Sequence, residues 1–434
     1  MISSQRKGLS LESLKFLQHG GFVDTILAEP AEFANIILSL RDSEHEYRLV
    51  VREGAIQRVD MDVPAISHPV DVTISAQSEA WDGFFQENPP PPYADIIAMF
   101  TENHAQITGN TLLFFQHITF ITYMFRQLGH RKPLVVANGA SKPEGPKPNG
   151  HVEDVVGKYV HLSLDGHDYR VFFEESGPKD GIPVVLLHAA NSDARMWRHQ
   201  LGDSDLASRF HLFAFDMPWR GRSVPPQELL RTEYKLTNSF YRRIIRAFCD
   251  ALQLDRPILV GCSMGGYIMF YIGKEEPERY RALIAVAVRD FEPRRWLMER
   301  VFRHPAVSFN RVLSCASNGF MAPTDPPGCS DEVAWLYETG SPRALRGDLN
   351  FASRDCDARP FMAQIDTSKT PFYVLGGEYD WSCTKEHTDL IKQRMPQANV
   401  VRMKGIGHFP PDENPGVFKE YIMPVLDEVL KSAS

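Results

Sequence analysis

Three residues with the makings of acyl chemistry each follow an apolar run in this chain. The first is Ser263, within Gly261-Cys262-Ser263-Met264-Gly265. Ile258-Leu259-Val260 before it is a continuous apolar stretch, as expected of a strand buried on both faces. Tyr267 to Ile272 after it opens an apolar helix. Small residues at Gly261 and Gly265 let a strand turn sharply into a helix without a Cβ clash, and the tip of such a turn exposes the serine Oγ. The helix that follows offers its first N–H groups and its positive dipole end to an oxygen anion. A nucleophilic serine needs both exposure and waiting donors. The plainer reading is a glycine-rich turn whose serine caps a helix. Cys262 lies off the tip and is a neighbour of the nucleophile rather than the nucleophile.

Two further groups lie downstream. Thr370 to Gly377 reads as an apolar strand ending in a turn that carries Asp380, and Asn399 to Met403 reads as a last strand whose following loop, Gly405-Ile406-Gly407-His408-Phe409-Pro410, carries His408. His408 is assigned as the base that takes the proton from Ser263 Oγ. Asp380 is assigned to fix its tautomer and stabilise its charged form. A solvated loop histidine is the ordinary alternative for one of 15 histidines. For the acid, Asp290, at the end of Ala282 to Val288, is the competitor, and Glu378 is close to Asp380. The oxyanion donors are expected to be the backbone N–H groups of Met264 and of Ala190, in the loop after the strand Pro183 to Leu187.

The order serine, acid, histidine, each past the end of a strand, resembles the α/β-hydrolase superfamily. The resemblance covers roughly residues 155 to 432. It includes an opening hairpin turning at Asp165-Gly166 and a loop, Asp216-Met217-Pro218-Trp219-Arg220-Gly221-Arg222-Ser223, similar to the family's Asp-x-Pro-x-x-Gly-x-Ser. His188-Ala189-Ala190 departs from the usual His-Gly-x by having Ala189 for glycine. The nucleophile position is serine rather than aspartate, unlike haloalkane dehalogenases and epoxide hydrolases. The resemblance therefore implies an α/β fold with a helical cap and an ester, lactone, thioester or β-diketone-type C–C hydrolase. Acyl transfer or cyclisation on the same triad is a further option. The cap is expected at about 291–365, where Trp296, Phe309, Phe320, Trp335, Tyr337 and Phe351 cluster. Such density suits an apolar pocket and equally suits helices packed on one another. Trp197, Trp381 and Trp335 are the candidate substrate-binding residues. Arg289, Arg294, Arg295 and Arg303 read as solvated faces, with carboxylate binding as the minor option.

At 434 residues the chain exceeds a single such domain. Residues 131–152 are rich in Pro, Gly and Lys and read as a linker, which leaves 1–130 as a smaller α+β domain and 153–434 as the hydrolase-like domain. In the first part Ala34 to Leu40, Tyr47 to Val51 and Val70 to Ser75 are strand-like. Ser78 to Phe85 reads as a helix, and Ala105 to Gly109 as a strand followed by an apolar helix. This order, with Ala80-Trp81-Asp82-Gly83-Phe84-Phe85 and the prolines at 89–92, resembles sterol-carrier-protein-2-like domains. That resemblance implies an apolar ligand site, a cover for the substrate or a homodimer contact; a purely structural appendage is the alternative.

Thr111 to Phe125 is too short and too polar for a bilayer crossing, and the N-terminus lacks a secretory core. Six cysteines show no Cys-x-x-Cys pair and no metal-like clustering with histidine. A cytoplasmic, reduced protein is the simplest reading. A net charge of −8 without a basic stripe speaks against nucleic acid. No phosphate-cradling loop, metal or other cofactor is implied. The expectation is a serine hydrolase acting on an apolar small molecule without stable membrane insertion; the alternative of another class is a lipid-binding protein on the same scaffold.

Overall fold

The computed structural model describes residues 8–20, 33–64, 69–129, 149–291, 304–326 and 328–431. The chain divides into two compact units. One comprises residues 1–134 with 296–324, the other 135–295 with 325–434. Most of the expected linker, 131–148, and the arginines 294, 295 and 303 lie outside the described residues, as does Trp296.

The first unit holds a five-stranded sheet of order β3-β2-β1-β4-β5. Its strands are β1 (Ile36–Arg41), β2 (Glu46–Arg52), β3 (Ala55–Met61), β4 (Val72–Ala76) and β5 (Ala105–Gly109). Strand β3 was not anticipated: Gln57, Arg58 and Asp60 give it a mostly polar, exposed character, and only Ile56 and Val59 turn inward. Trp81 on the helix Ser78–Phe84 stacks on Phe125 at 5.8 Å between ring centroids. The stretch expected as one helix from Thr111 is two, Thr111–Gln116 and Ile118–Leu128, joined at His117.

The expected cap is also divided. The helix Phe309–Asn318 belongs to the first unit, because Val307, Val312, Cys315 and Ala316 are buried in that unit's apolar cluster with Ile118, Ile121 and Met124. Only the later part of the insertion, including the helices Cys329–Glu338 and Pro342–Asn350, stays with the second unit.

The second unit is built on an eight-stranded sheet of order β13-β12-β11-β10-β8-β9-β7-β6. The hairpin β6 (Val156–Leu164) and β7 (His167–Ser176) turns at Asp165 and Gly166, both with positive φ, as a two-residue turn between twisted strands requires. From β9 (Phe210–Phe215) to the far edge every pairing is parallel, through β8 (Ile182–Leu187), β10 (Ile258–Cys262), β11 (Ala282–Val286), β12 (Phe372–Gly377) and β13 (Asn399–Met403). Strands β10, β11 and β12 are buried along their whole length, which explains their unbroken apolar character.

The chain passes from β8 to β9 on one side and then to β10 on the other. The loops leaving β8 and β10 therefore lie next to each other at the point where the winding reverses, the usual place for a ligand in such sheets. The turn after β10 is tight. A Cβ on Gly265 would stand 2.5 Å from the Leu187 carbonyl oxygen, and one on Gly261 would overlap the Gly265 carbonyl. Gly261→Ala is expected to cost about 3 kcal/mol, read as a lowered urea midpoint; an unchanged midpoint would show that the turn can relax.

Candidate active site

The backbone at Ser263 has φ 51° and ψ −112°, a conformation that L-residues rarely adopt. It marks a sharp turn between β10 and the helix Met264–Glu275. Ser263 stands at the helix's N-cap, yet its side chain caps nothing. Its Oγ instead lies 3.0 Å from His408 Nε2. His408 Nδ1 lies 2.7 Å from Asp380 Oδ2. A carboxylate beside Nδ1 places the imidazole proton there and leaves Nε2 free to accept from the Ser263 hydroxyl. Because β12 and β13 are neighbours, the loops that leave them bring Asp380 and His408 together.

Asp380 is fully buried. Burial alone would raise its pKa. The charge of His408 and hydrogen bonds from His408, the Ser382 hydroxyl and the Cys383 amide outweigh that and hold it below the ordinary 3.8. Asp290, the competing acid, is turned away into an ion pair with Arg394. Glu378 accepts from the Gly405 amide at 2.9 Å.

On the other side, His188 is buried beneath the loop after β8. Its Nε2 accepts from the Met217 amide at 3.1 Å, so its proton sits on Nδ1 and is donated to the Ala189 carbonyl at 2.8 Å. Burial pushes the pKa of His188 down, consistent with a neutral ring. A trans peptide points its N–H away from its C=O, so holding the Ala189 carbonyl also fixes the direction of the Ala190 N–H. Among the described residues neither the Ala190 nor the Met264 amide donates to a protein acceptor.

Comparison with known proteins agrees with this architecture. A family profile described as the alpha/beta hydrolase fold matches residues 182–320. Among solved structures, a thermophilic esterase from Thermogutta terrifontis superposes with a TM-score of 0.54 at 22% identity, covering 63% of this chain and 99% of that one. An enol-lactonase from Burkholderia xenovorans gives 0.53 at 16% identity, over 62% and 100%.

The chain carries the α/β-hydrolase fold.

Among curated relatives, a 2-hydroxy-6-oxononadienedioate/2-hydroxy-6-oxononatrienedioate hydrolase of Burkholderia vietnamiensis is 28% identical over 136 residues, 31% of this chain and 45% of the relative. The 1-acylglycerol-3-phosphate O-acyltransferase ABHD5 of Sus scrofa is 32% identical over 139 residues, 32% of this chain and 38% of the relative. The chain thus spans less than half the length of the curated relatives it matches.

The three tryptophans expected to line an α/β-hydrolase pocket are placed differently from one another. Trp197 is 0% exposed and packs against Phe418, with 6.3 Å between ring centroids. With no solvent-accessible surface it borders no space a substrate could enter, so it is a core residue and not a pocket wall. Trp335 is 53% exposed, with the Arg195 guanidinium 5.1 Å from its ring centroid. Trp381 is buried beside the acid. Arg289 donates to the Ser382 carbonyl at 3.2 Å and so braces the acid loop.

Sequence reading missed Ser382 and Glu413. Ser382 Oγ donates to Asp380 Oδ1 at 2.6 Å and lies 3.1 Å from His408 Nδ1, bridging the two side chains. A serine two residues past a turn aspartate is a common local motif, and nothing in its spelling separates this one. Glu413 accepts from the amides of Gly407 and Phe409, strapping the loop on both sides of His408. Two groups of potential metal ligands occur among the described residues. Asp380, Cys383 and His408 include two side chains, Asp380 and His408, already hydrogen-bonded to each other. His199, Glu332 and Asp412 surround the Arg198 guanidinium, which pairs with both carboxylates and makes the group a poor cation site.

A carboxylate whose folded pKa is depressed adds stability that is present above its unfolded value and lost as the pH falls through its folded value. The urea-midpoint difference between wild type and Asp380→Asn should therefore narrow as the pH is lowered below Asp380's ordinary 3.8. A difference that stays constant from pH 6 to 3 would contradict the depression.

Proposed function

We propose that the protein is a serine hydrolase of an apolar small-molecule ester or lactone. The observation that carries the reading is the unbroken relay from Ser263 Oγ to His408 Nε2, and from His408 Nδ1 to Asp380 Oδ2, at 3.0 and 2.7 Å. In this reading Ser263 Oγ attacks the carbonyl carbon while its proton passes to His408 Nε2. The carbonyl oxygen, now negative, takes the amides of Ala190 and Met264 as donors. Collapse breaks the bond to the leaving group, which receives the proton from His408. The acyl-enzyme is then opened by water, whose proton goes to His408 and returns to Ser263 as the acid is released. Asp380 stays ionised and balances the imidazolium. Trp335 and Trp381 remain our candidates for substrate contact.

The ester and lactone preference is supported by the serine nucleophile and by the printed activities of the structural neighbours, an esterase and an enol-lactonase. Acyl transfer to an acceptor other than water is the second reading. It uses the same residues and draws on the acyltransferase among the relatives. For the first unit we retain the sterol-carrier-protein-2-like reading on the order of its elements. The cavity between Phe84, Ala94, Phe125 and Gly129 has a volume of about 10 Å³, room for roughly one water molecule, so an apolar ligand there would require the core to open. No described helix is long and apolar enough to cross a membrane. None of the six cysteines forms a disulfide, and a reducing compartment is our reading of that.

A fluorophosphonate probe should label the wild-type protein at one site and leave Ser263→Ala unlabelled; label retained in Ser263→Ala would remove the nucleophile assignment. Ser382→Ala deletes a hydrogen bond to an ionised acid and should lower kcat for p-nitrophenyl butyrate about tenfold. Full activity in that variant would make Ser382 a bystander.

A further inference from the structure

The loop that carries Ala190 has a second set of restraints, supplied from far along the chain. Asn191 sits at φ 56°, in the left-handed region, where a non-glycine residue costs energy and persists only if its surroundings hold it. Its own side chain does not hold it. Asn191 is 1% exposed, and neither its amide nitrogen nor its amide oxygen has a hydrogen-bond partner. The amide packs instead against Gly340, where any Cβ would overlap it. The peptide between Ala190 and Asn191 is gripped at both ends. The Tyr337 hydroxyl donates to the Ala190 carbonyl at 3.2 Å, and the Asn191 N–H donates to Asp348 Oδ2 at 2.9 Å. Tyr337 lies on the helix Cys329–Glu338 and Asp348 on the helix Pro342–Asn350, both within the insertion between β11 and β12.

Asp348 is completely buried and paired with Arg220, itself buried, and receives the Tyr234 hydroxyl at 3.4 Å. A buried ion pair is often no more stabilising than well-packed apolar side chains would be. Its value here lies in where it directs the carboxylate. Together with the grip of His188 on the preceding peptide, two consecutive peptide planes are fixed, one by the strand side and one by the insertion.

We propose that Asp348 and Tyr337 are positioning residues for the Ala190 oxyanion donor, so that the insertion as well as the sheet sets the geometry in which the tetrahedral intermediate is stabilised. The proposal rests on the roles assigned above to Ser263 and Ala190. Neither side chain has to touch substrate. A donor held in place stabilises the developing oxyanion without reorganisation during the reaction, whereas a loose one forfeits much of its effect.

The test compares wild type, Tyr337→Phe and Asp348→Asn by p-nitrophenyl butyrate kinetics and by the second-order rate of fluorophosphonate labelling, with Ser263→Ala as the control. Loss of a whole oxyanion donor costs about 10²–10³ in kcat, so misplacing one should cost less. Tyr337→Phe is expected to lower kcat about tenfold and Asp348→Asn up to about a hundredfold. KM should stay within about twofold, and the labelling rate should fall in parallel with kcat. If Asp348→Asn does not fold, Tyr337→Phe, which removes one hydroxyl and leaves the Arg220 pair intact, decides the matter. A kcat and labelling rate within twofold of wild type in the folded variants would overturn the proposal. So would a raised KM at unchanged kcat, which would mark substrate contact. Label persisting in Ser263→Ala would instead overturn the nucleophile reading, and the positioning role with it.

Discussion

Ser263 occupies a backbone conformation that costs on the order of 1–3 kcal/mol, and the packing around the elbow is arranged to hold it there. Its N–H donates to the Val286 carbonyl at 2.8 Å, and its own carbonyl receives the amides of Gly266 and Tyr267, each at 2.8 Å. Pinned on both sides, the residue cannot relax into an ordinary helix cap, and the direction of its Oγ is decided by the main chain. That arrangement requires the helix to pass close to β10 and β8, which is why glycine occupies positions 261 and 265. The sheet order then does the rest. With the elbow fixed at the end of β10, the loop of Ala190 is the neighbour on one side, and Asp380 and His408 arrive from β12 and β13 beyond β11 on the other.

The two halves of the site are restrained in different ways. The acid side is local. Asp380 is held by the hydroxyl and amide of Ser382, by the Cys383 amide and by His408, so most of its partners come from the next three residues. The donor side is assembled from distant pieces. His188 and Met217 contribute from the loops that leave β8 and β9, and the residues that grip the Ala190 carbonyl and the Asn191 amide come from the insertion. A local turn is built into any copy of the sequence around it. A loop braced from an insertion inherits whatever that insertion does.

This difference also explains what could be read from the sequence. Strands β10, β11 and β12 announce themselves because burial on both faces leaves no charged residue in them. Ser263 and Asp380 are legible because each follows such a run, and His408 because it follows the shorter apolar stretch Val400-Val401 in a glycine-bounded loop. Asp380 and Asp290 look alike in the sequence; their partners separate them, His408 for Asp380 and Arg394 for Asp290. Trp197 looked like a pocket wall because tryptophan near a donor loop is suggestive. Packing against Phe418 depends on a helix more than 200 residues away in the chain, and no local pattern reports it. The insertion's aromatic density was visible, but its division between two units was not. That division depends on which side of the helix Phe309–Asn318 finds an apolar partner.

The division has a consequence for how the protein is made. The first unit's core includes Val307, Val312, Cys315 and Ala316, which the ribosome delivers only after three of the second unit's central parallel strands, β8, β10 and β11, have already emerged. At about 5–20 residues per second, the helix Ile118–Leu128 must wait roughly ten seconds or more for the helix Phe309–Asn318 that packs on it. The nascent chain therefore passes through a stage in which both units are incomplete, the first lacking the helix Phe309–Asn318 and the second lacking β12 and β13.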